Sequence, residues 1–223
     1  MATDHPCAVF AAIPVKAAAE SKSRLSQVLR PDERELLTFA MLRDVIGATF
    51  NSQASRDVVV ISPDSRVLRL AVELGAHAVP ERESGLNRAV EQATRWCIGR
   101  GADATLVLPS DIPLLTGGDV NRLIDLGSRR PSMVVSPSDD GGTNALLRCP
   151  ADVIPPSFGA DSFREHLSAA EAAGIKARVH RSPNIALDID APDDLRRLLD
   201  EPRETHTHRL LEELGISARF GAI

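Results

Sequence analysis

The sequence predicts an α/β fold: a three-layer α/β/α sandwich around a mostly parallel mixed sheet. Three observations lead there. Short apolar runs rich in Val, Ile and Leu recur along the chain, segments of helical periodicity lie between them, and acidic residues stand where apolar runs end. Runs that are apolar at every position fit strands buried on both faces. A helix between successive strands implies right-handed crossovers that place helices on both sides of the sheet. The 223 residues suit a single domain, 1–223, with a helical tail at about 204–223.

The predicted strands are CAVFAAIPV (7–15), DVVVISP (57–63), AHAVP (76–80), ATLVLPSD (104–111), SMVVSP (132–137), ALLRC (145–149) and a last one within ARVHRSPNIALDID (177–190). The first helix spans 31–50: Pro31 suits a first turn, and Asp32 and Glu33 complement the helix dipole. Leu37, Ala40, Met41, Val45 and Ala48 then recur at helical spacing. Further helices are expected at 64–74, closed by Gly75, and at 86–99, 117–129, 161–173 and 191–199, with Asp161 as an N-cap and Gly174 as a stop. EPRETHTH (201–208) reads as a linker to an amphipathic tail, RLLEELGI, which would pack on the domain or form the contact of a homodimer.

Composition narrows the function. Net charge is −5 with no long basic run, and aromatics are 3% with no Tyr, so neither phosphate neutralisation nor base stacking supports a nucleic-acid partner. Cys7, Cys97 and Cys149 are far apart, without a C-x-x-C pair, which disfavours a zinc site or a disulfide framework. No apolar stretch approaches membrane-spanning length and the N-terminus MATDHPC lacks signal-peptide form, so the expected location is cytoplasmic, with no membrane partner. His77, His166 and His180 read as ordinary surface or partly buried residues, and the alternation of His206 and His208 carries little metal-binding signal.

In open α/β sheets ligands bind beyond the carboxyl ends of the strands. Asp111 ends TLVLPSD, and Asp188 and Asp190 end NIALDID. Two carboxylates from separate strand ends can hold Mg²⁺ while water and substrate phosphates complete its shell. Asp111 is equally readable as a turn cap, and Asp190 as part of the helix-start sequence D-A-P-D-D. The loop after the first strand, PVKAAAESKSRLS (14–26), carries Lys16, Lys22 and Arg24, cations suited to a triphosphate, although such clusters are often solvated faces. It is neither a P-loop nor a dinucleotide fingerprint. SDDGGTNALL (138–147) and PPSFGADSF (155–163) present Gly-rich backbone to an anion, or else a hairpin turn and a helix cap. ESGLNRAV (83–90) would show Asn87 to a base edge or sugar, or simply open a helix.

Together IPVKAAAESKSRLS, PDERELLTFAMLRDVI, GLNRAV, LPSDIPLL, DGGTNALL, FGADSF and ALDIDAPDDL, in that order over residues 10–199, resemble the 2-phospho-L-lactate guanylyltransferase family of coenzyme F420 biosynthesis, whose bacterial relatives use phosphoenolpyruvate or 3-phosphoglycerate. The resemblance implies a nucleotidyltransferase fold of the glycosyltransferase-A type and, as ligands, GTP, Mg²⁺ and a phosphorylated three-carbon acid. The acid's phosphate would attack the α-phosphorus of GTP and pyrophosphate would leave. The resemblance further implies that Lys16, Lys22, Arg24 and Asp111 are catalytic, with Lys16, Lys22, Arg24, Gly85, Asn87 and Pro109 on the nucleotide. It puts Thr143, Gly159 and Ser162 on the phospho-acid, and Asp111 with Asp188 on the metal; the strand-end reading leaves Asp190 as the alternative second ligand. The alternatives are a cytidylyl- or molybdopterin-type enzyme of the same fold, or a non-catalytic regulator that binds GTP or a phospho-acid.

Overall fold

A computed structural model of the chain describes residues 7–53 and 55–220. The N-terminal MATDHP and the last three residues of the expected tail lie outside the described residues. Among the described residues seven strands form one sheet: β1 (Val9–Pro14), β2 (Ser55–Ser62), β3 (His77–Pro80), β4 (Ala104–Val107), β5 (Ser132–Pro137), β6 (Thr143–Cys149) and β7 (Ala177–Val179). Their order across the sheet is β3-β2-β1-β4-β6-β5-β7. Every neighbouring pair is parallel except the two that involve β6, which runs antiparallel to β4 and β5.

The helices are α1 (Pro31–Phe50), α2 (Ser65–Glu73), α3 (Leu86–Ile98), α4 (Gly117–Leu126), α5 (Ser162–Ala172), a single turn α6 (Pro183–Ala186), α7 (Pro192–Leu199), α8 (His206–Glu213) and α9 (Ile216–Phe220). Their starts follow local chemistry. Glu33 accepts the Arg30 N–H at 2.8 Å ahead of Pro31, the Asp64 side chain caps α2, and Thr116 and Asp119 form a reciprocal capping box on α4.

The alternation of a doubly buried strand sets the layers. From β1, Val9, Ala11 and Ile13 pack towards Leu42, Val45 and Ile46 of α1, Val67 and Ala71 of α2 and Val120 and Leu123 of α4. Phe10 and Ala12 face the opposite side, against Ala89, Ala93 and Cys97 of α3. Val107, Met133, Val135 and Leu146 extend that second face to Ala170 of α5. The sheet is therefore the middle of three layers, as the sequence predicts.

The tail packs on its own chain. Leu211 and Ile216 join Leu25, Leu37, Met41, Leu187, Ile189 and Leu195 in a separate apolar cluster on the outer side of α1. Asp44 of α1 accepts hydrogen bonds from the backbone of His206 and Thr207 and from the Thr207 hydroxyl, and Glu33 pairs with Arg219. Among the described residues no helix is long and apolar enough to cross a membrane.

Three expectations need correction. Only Ala177–Val179 of the 177–190 segment is a strand; Pro183 then opens α6, so Asp188 and Asp190 lie on an extended stretch outside the sheet. Asp161 holds the N-cap position with a left-handed backbone, φ 56°, and its side chain caps nothing. His166, read as a surface or partly buried residue, is fully buried. The three cysteines are free, yet Cys7 and Cys149, 142 residues apart, bring their sulfurs to 3.8 Å.

Candidate active site

The sheet reverses direction of winding at β1: β2 and β3 lie to one side, and the chain then crosses through α3 to β4 on the other. Such a reversal opens a crevice at the strands' carboxyl ends. A cavity of about 620 Å³ lies there, lined by Lys16, Lys22, Arg24, Gly85, Pro109, Asp111 and Asp190, a size that suits a small-molecule ligand.

Pro109 shapes the acidic corner. The β4 ladder extends one residue past Val107, through the Leu108 N–H to the Ala12 carbonyl; proline has no N–H to continue it. The chain turns, and Asp111 sits on that turn four residues after β4 rather than at its last pairing. The Ile189 N–H donates to the Asp111 carbonyl at 3.0 Å. That bond stitches the Leu187–Asp190 stretch to the β4 turn and brings the two acidic segments together without a second strand end.

Lys22 is the cation at the centre. It adopts the left-handed conformation, φ 59° and ψ 37°, unusual for a residue with a side chain. Its ammonium lies 2.6 Å from Asp111 Oδ2 and 2.7 Å from Asp190 Oδ1, with only 7% of the side chain exposed. Burial alone would lower its pKa, but the two carboxylate charges and their hydrogen bonds outweigh it and hold the pKa above the usual lysine value. Burial raises the Asp190 pKa, and Lys22, Arg24 and Lys16 more than reverse that, leaving it below the usual value.

Asp188 differs. Burial, chiefly, and the charges of Asp111, Asp190 and Asp140 push its pKa to about 6, against a lowering by the Asn144 hydrogen bond. Asn144, buried on β6, donates to Asp188 Oδ1 at 3.0 Å and to the Ile185 carbonyl at 2.8 Å, which fixes the carboxyl's direction. Asp111 Oδ1 is buried and has no hydrogen-bond partner among the described residues. Among the described residues no three acidic, His or Cys side chains form a ready-made cation cage.

Gly85 caps α3 at φ 118°, a conformation reserved for glycine, with open space on its Cβ side. Asn87 does not line the cavity. Both ends of its amide are taken: Nδ2 donates to the Phe158 carbonyl at 3.0 Å and Oδ1 accepts the Phe158 N–H at 2.7 Å. Asn87 thus brackets the 155–161 loop.

Thr143, Gly159 and Ser162 are not among the residues lining that cavity. Gly141 and Gly142 form the β5–β6 hairpin turn, the plainer of their two readings. Thr143, the first residue of β6, and Ser162, the first of α5, are both buried; Gly159, at φ 149°, precedes α5 and its carbonyl accepts the Ser162 N–H. His166 joins these elements: its Nδ1 lies 3.0 Å from the Thr143 hydroxyl, and its Nε2 accepts the Ser157 N–H at 3.0 Å. Sequence reasoning passed over both His166 and the Asn144–Asp188 pair. Asn144 had a signal, since it closes the quoted G-G-T-N run; His166 had none.

Residues 9–222 match the family described as guanylyl transferase CofC like. A phosphoenolpyruvate guanylyltransferase of Rubrobacter xylanophilus is 45% identical over 191 residues, 85% of this chain and 93% of the relative. A 2-phospho-L-lactate guanylyltransferase of Methanobrevibacter smithii is 35% identical over 210 residues, 94% and 92% of the two chains. Among solved structures, a Desulfovibrio desulfuricans protein described as a nucleotide-diphospho-sugar transferase aligns with TM-score 0.76 at 18% identity, covering 95% of this chain and 97% of that one. A nucleotidyl transferase of Methanothermobacter thermautotrophicus aligns with TM-score 0.65 at 12% identity, covering 86% and 96%. These likenesses establish the glycosyltransferase-A-like nucleotidyltransferase fold.

Proposed function

The chain belongs to the guanylyl transferase CofC-like family, and on that premise we propose that it transfers GMP from GTP to a phosphorylated three-carbon acid, 2-phospho-L-lactate, phosphoenolpyruvate or 3-phosphoglycerate, releasing pyrophosphate, as in coenzyme F420 biosynthesis. The observation that carries this reading is the crevice at β1 and β4, where Lys16, Lys22 and Arg24 face Asp111 and Asp190.

The acceptor's phosphate is an anion at neutral pH and needs no general base. An oxygen of that phosphate forms a bond to the α-phosphorus of GTP as the bond to the pyrophosphate oxygen breaks, and the electron pair leaves with pyrophosphate. The work of the residues is alignment and charge neutralisation. Lys16, Lys22 and Arg24 hold the triphosphate and balance the charge that builds on the leaving group. Lys22 already sits between two carboxylates and is kept charged by them.

The acidic corner fits a small hard cation. Asp111 Oδ1 is buried without a partner, and Asp188 is crowded by Asp111, Asp190 and Asp140. Mg²⁺ takes one or two carboxylates and fills its octahedron with water and phosphate oxygens, so a full protein cage is not required. When bound, Mg²⁺ supplies charge neutralisation at the transferring phosphoryl group. Asp111 with Asp188 would hold it, and Asp190 serves Lys22. Thr143, Gly159 and Ser162 would receive the acceptor.

The test is pyrophosphate release with Mg²⁺, GTP or CTP, and each of the three acids in turn. GTP-dependent release with at least one acid is expected. A clear preference for CTP, or nucleotide binding without release, would overturn the proposal.

A further inference from the structure

We propose that His166 is a positioning residue that sets the polarity of the acceptor subsite, fixing the Thr143 hydroxyl as a hydrogen-bond donor to an anionic oxygen of the phospho-acid. This deepens the reading above and rests on its placement of Thr143 at the acceptor.

One group beside the His166 ring can only donate. The Ser157 N–H points at His166 Nε2 from 3.0 Å, so Nε2 must offer a lone pair and carry no proton. A neutral imidazole with a bare Nε2 holds its proton on Nδ1. Nδ1 is 3.0 Å from Thr143 Oγ1; the Nδ1–H therefore donates, and the threonine oxygen accepts. The hydroxyl's own proton is left to point elsewhere. Among the described residues Thr143 Oγ1 has no second partner. Phosphate and carboxylate oxygens at neutral pH only accept, so a hydroxyl held in this sense matches them. In the opposite tautomer Thr143 would donate to the ring and turn lone pairs towards an anion.

The surroundings keep the ring in this state. His166 is fully buried, and burial together with the Arg148 charge lowers its pKa to about 4, so it is neutral at pH 7. Phe158 meets the ring edge-on with centroids 5.0 Å apart, and Asn87 clamps the Phe158 backbone on both sides. Thr143 on β6, the 155–161 loop and α5 thus share one rigid joint, and the direction of the Thr143 proton is built into it.

Two variants separate the two hydrogen bonds. In His166→Asn the amide nitrogen takes the place of Nδ1–H and keeps the donor to Thr143; in His166→Gln the amide oxygen takes the place of Nε2 and keeps the Ser157 bond alone. We expect His166→Gln to raise the KM for the acid by about tenfold and to leave the KM for GTP unchanged, His166→Asn to restore most of that loss, and Thr143→Val to add nothing in the His166→Gln background. Phosphoenolpyruvate and 2-phospho-L-lactate are the probes, with pyrophosphate release as the readout. Nitrogen NMR of the imidazole in the free wild-type protein should report the Nδ1–H tautomer, whether or not a variant folds. An Nε2–H tautomer, equal changes in both KM values, or additive losses would overturn this inference alone. A wild type that releases no pyrophosphate with either acid overturns the functional reading and this one with it.

Discussion

Lys22 and His166 are the two residues whose chemistry is fixed most tightly by what they touch. Removing the Lys22 ammonium in Lys22→Ala leaves Asp111 and Asp190 facing each other without the cation between them. We expect at least a roughly 10²-fold loss of turnover, read as pyrophosphate release, with folding retained by circular dichroism. His166 makes stability depend on pH. Its folded pKa, about 4, lies below the usual 6.5, so between those values the unfolded chain binds more protons, and stability rises with pH and is lost as the pH falls. The wild type's stability advantage over His166→Gln should therefore narrow from pH 7 to pH 4, by roughly 3 kcal/mol at most; Asp188, which titrates in the opposite sense, cancels in the comparison. A gap independent of pH would show that His166 is not buried neutral. At this scale the sequence showed Asp111 and the Lys16–Arg24 cations because each follows an apolar strand. It could not show that the Asn87 amide is taken by Phe158, 71 residues away, or that His166 meets Thr143 across 23 residues, since nothing local records a distant partner.

Elements joined across long separations carry much of the cohesion. The α8 N-terminus is capped from α1, where Asp44 accepts from the Thr207 hydroxyl at 2.6 Å and from two backbone N–H groups. Asp44→Ala leaves the buried Thr207 hydroxyl unpartnered and should cost about 2 kcal/mol, seen as a lower urea midpoint with an unchanged slope. Two glycines give opposite outcomes. A Cβ on Gly117 at the start of α4 would lie 2.7 Å from the Asn51 carbonyl oxygen, which is backbone and cannot swing aside, whereas Gly47 within α1 has nothing within 4 Å. Gly117→Ala should destabilise by about 1–3 kcal/mol, and Gly47→Ala should stabilise by about 0.5–1 kcal/mol. Equal effects in thermal melts would contradict the packing described. The start of α1 was legible because Pro31, followed by Asp32 and Glu33, announced it; the caps Asp64 and Thr116 came to light only in the structure. Within 177–190 a strand was legible and is present as β7, but the fate of NIALDID was not: its apolar residues look strand-like, yet Ile185, Leu187 and Ile189 are buried off the sheet, against other elements. Apolar spacing reports burial without naming the neighbour.

Across the molecule, the winding order of the sheet does what no single motif does. The reversal at β1 opens one crevice. It collects a basic loop from residues 14–26, the α3 N-terminus and the β4 turn, while the Leu187–Asp190 stretch is stitched in through the Asp111 carbonyl. The layered fold was legible because doubly buried strands and intervening helices leave few other arrangements. The place of the lone antiparallel strand, β6, was not, because antiparallel pairing next to β4 depends on which edge the chain returns to. The central claim is that guanylyl transfer takes place at Asp111 in this crevice. Its most direct test is the product mass after incubation with GTP, Mg²⁺ and the phospho-acid acceptors, comparing wild type with a folded Asp111→Asn. We expect a GMP adduct of the acid from the wild type and, from the variant, a rate lower by at least about 10²–10³-fold. An adduct formed by Asp111→Asn at the wild-type rate, or none from the wild type with any of the acids, would contradict it.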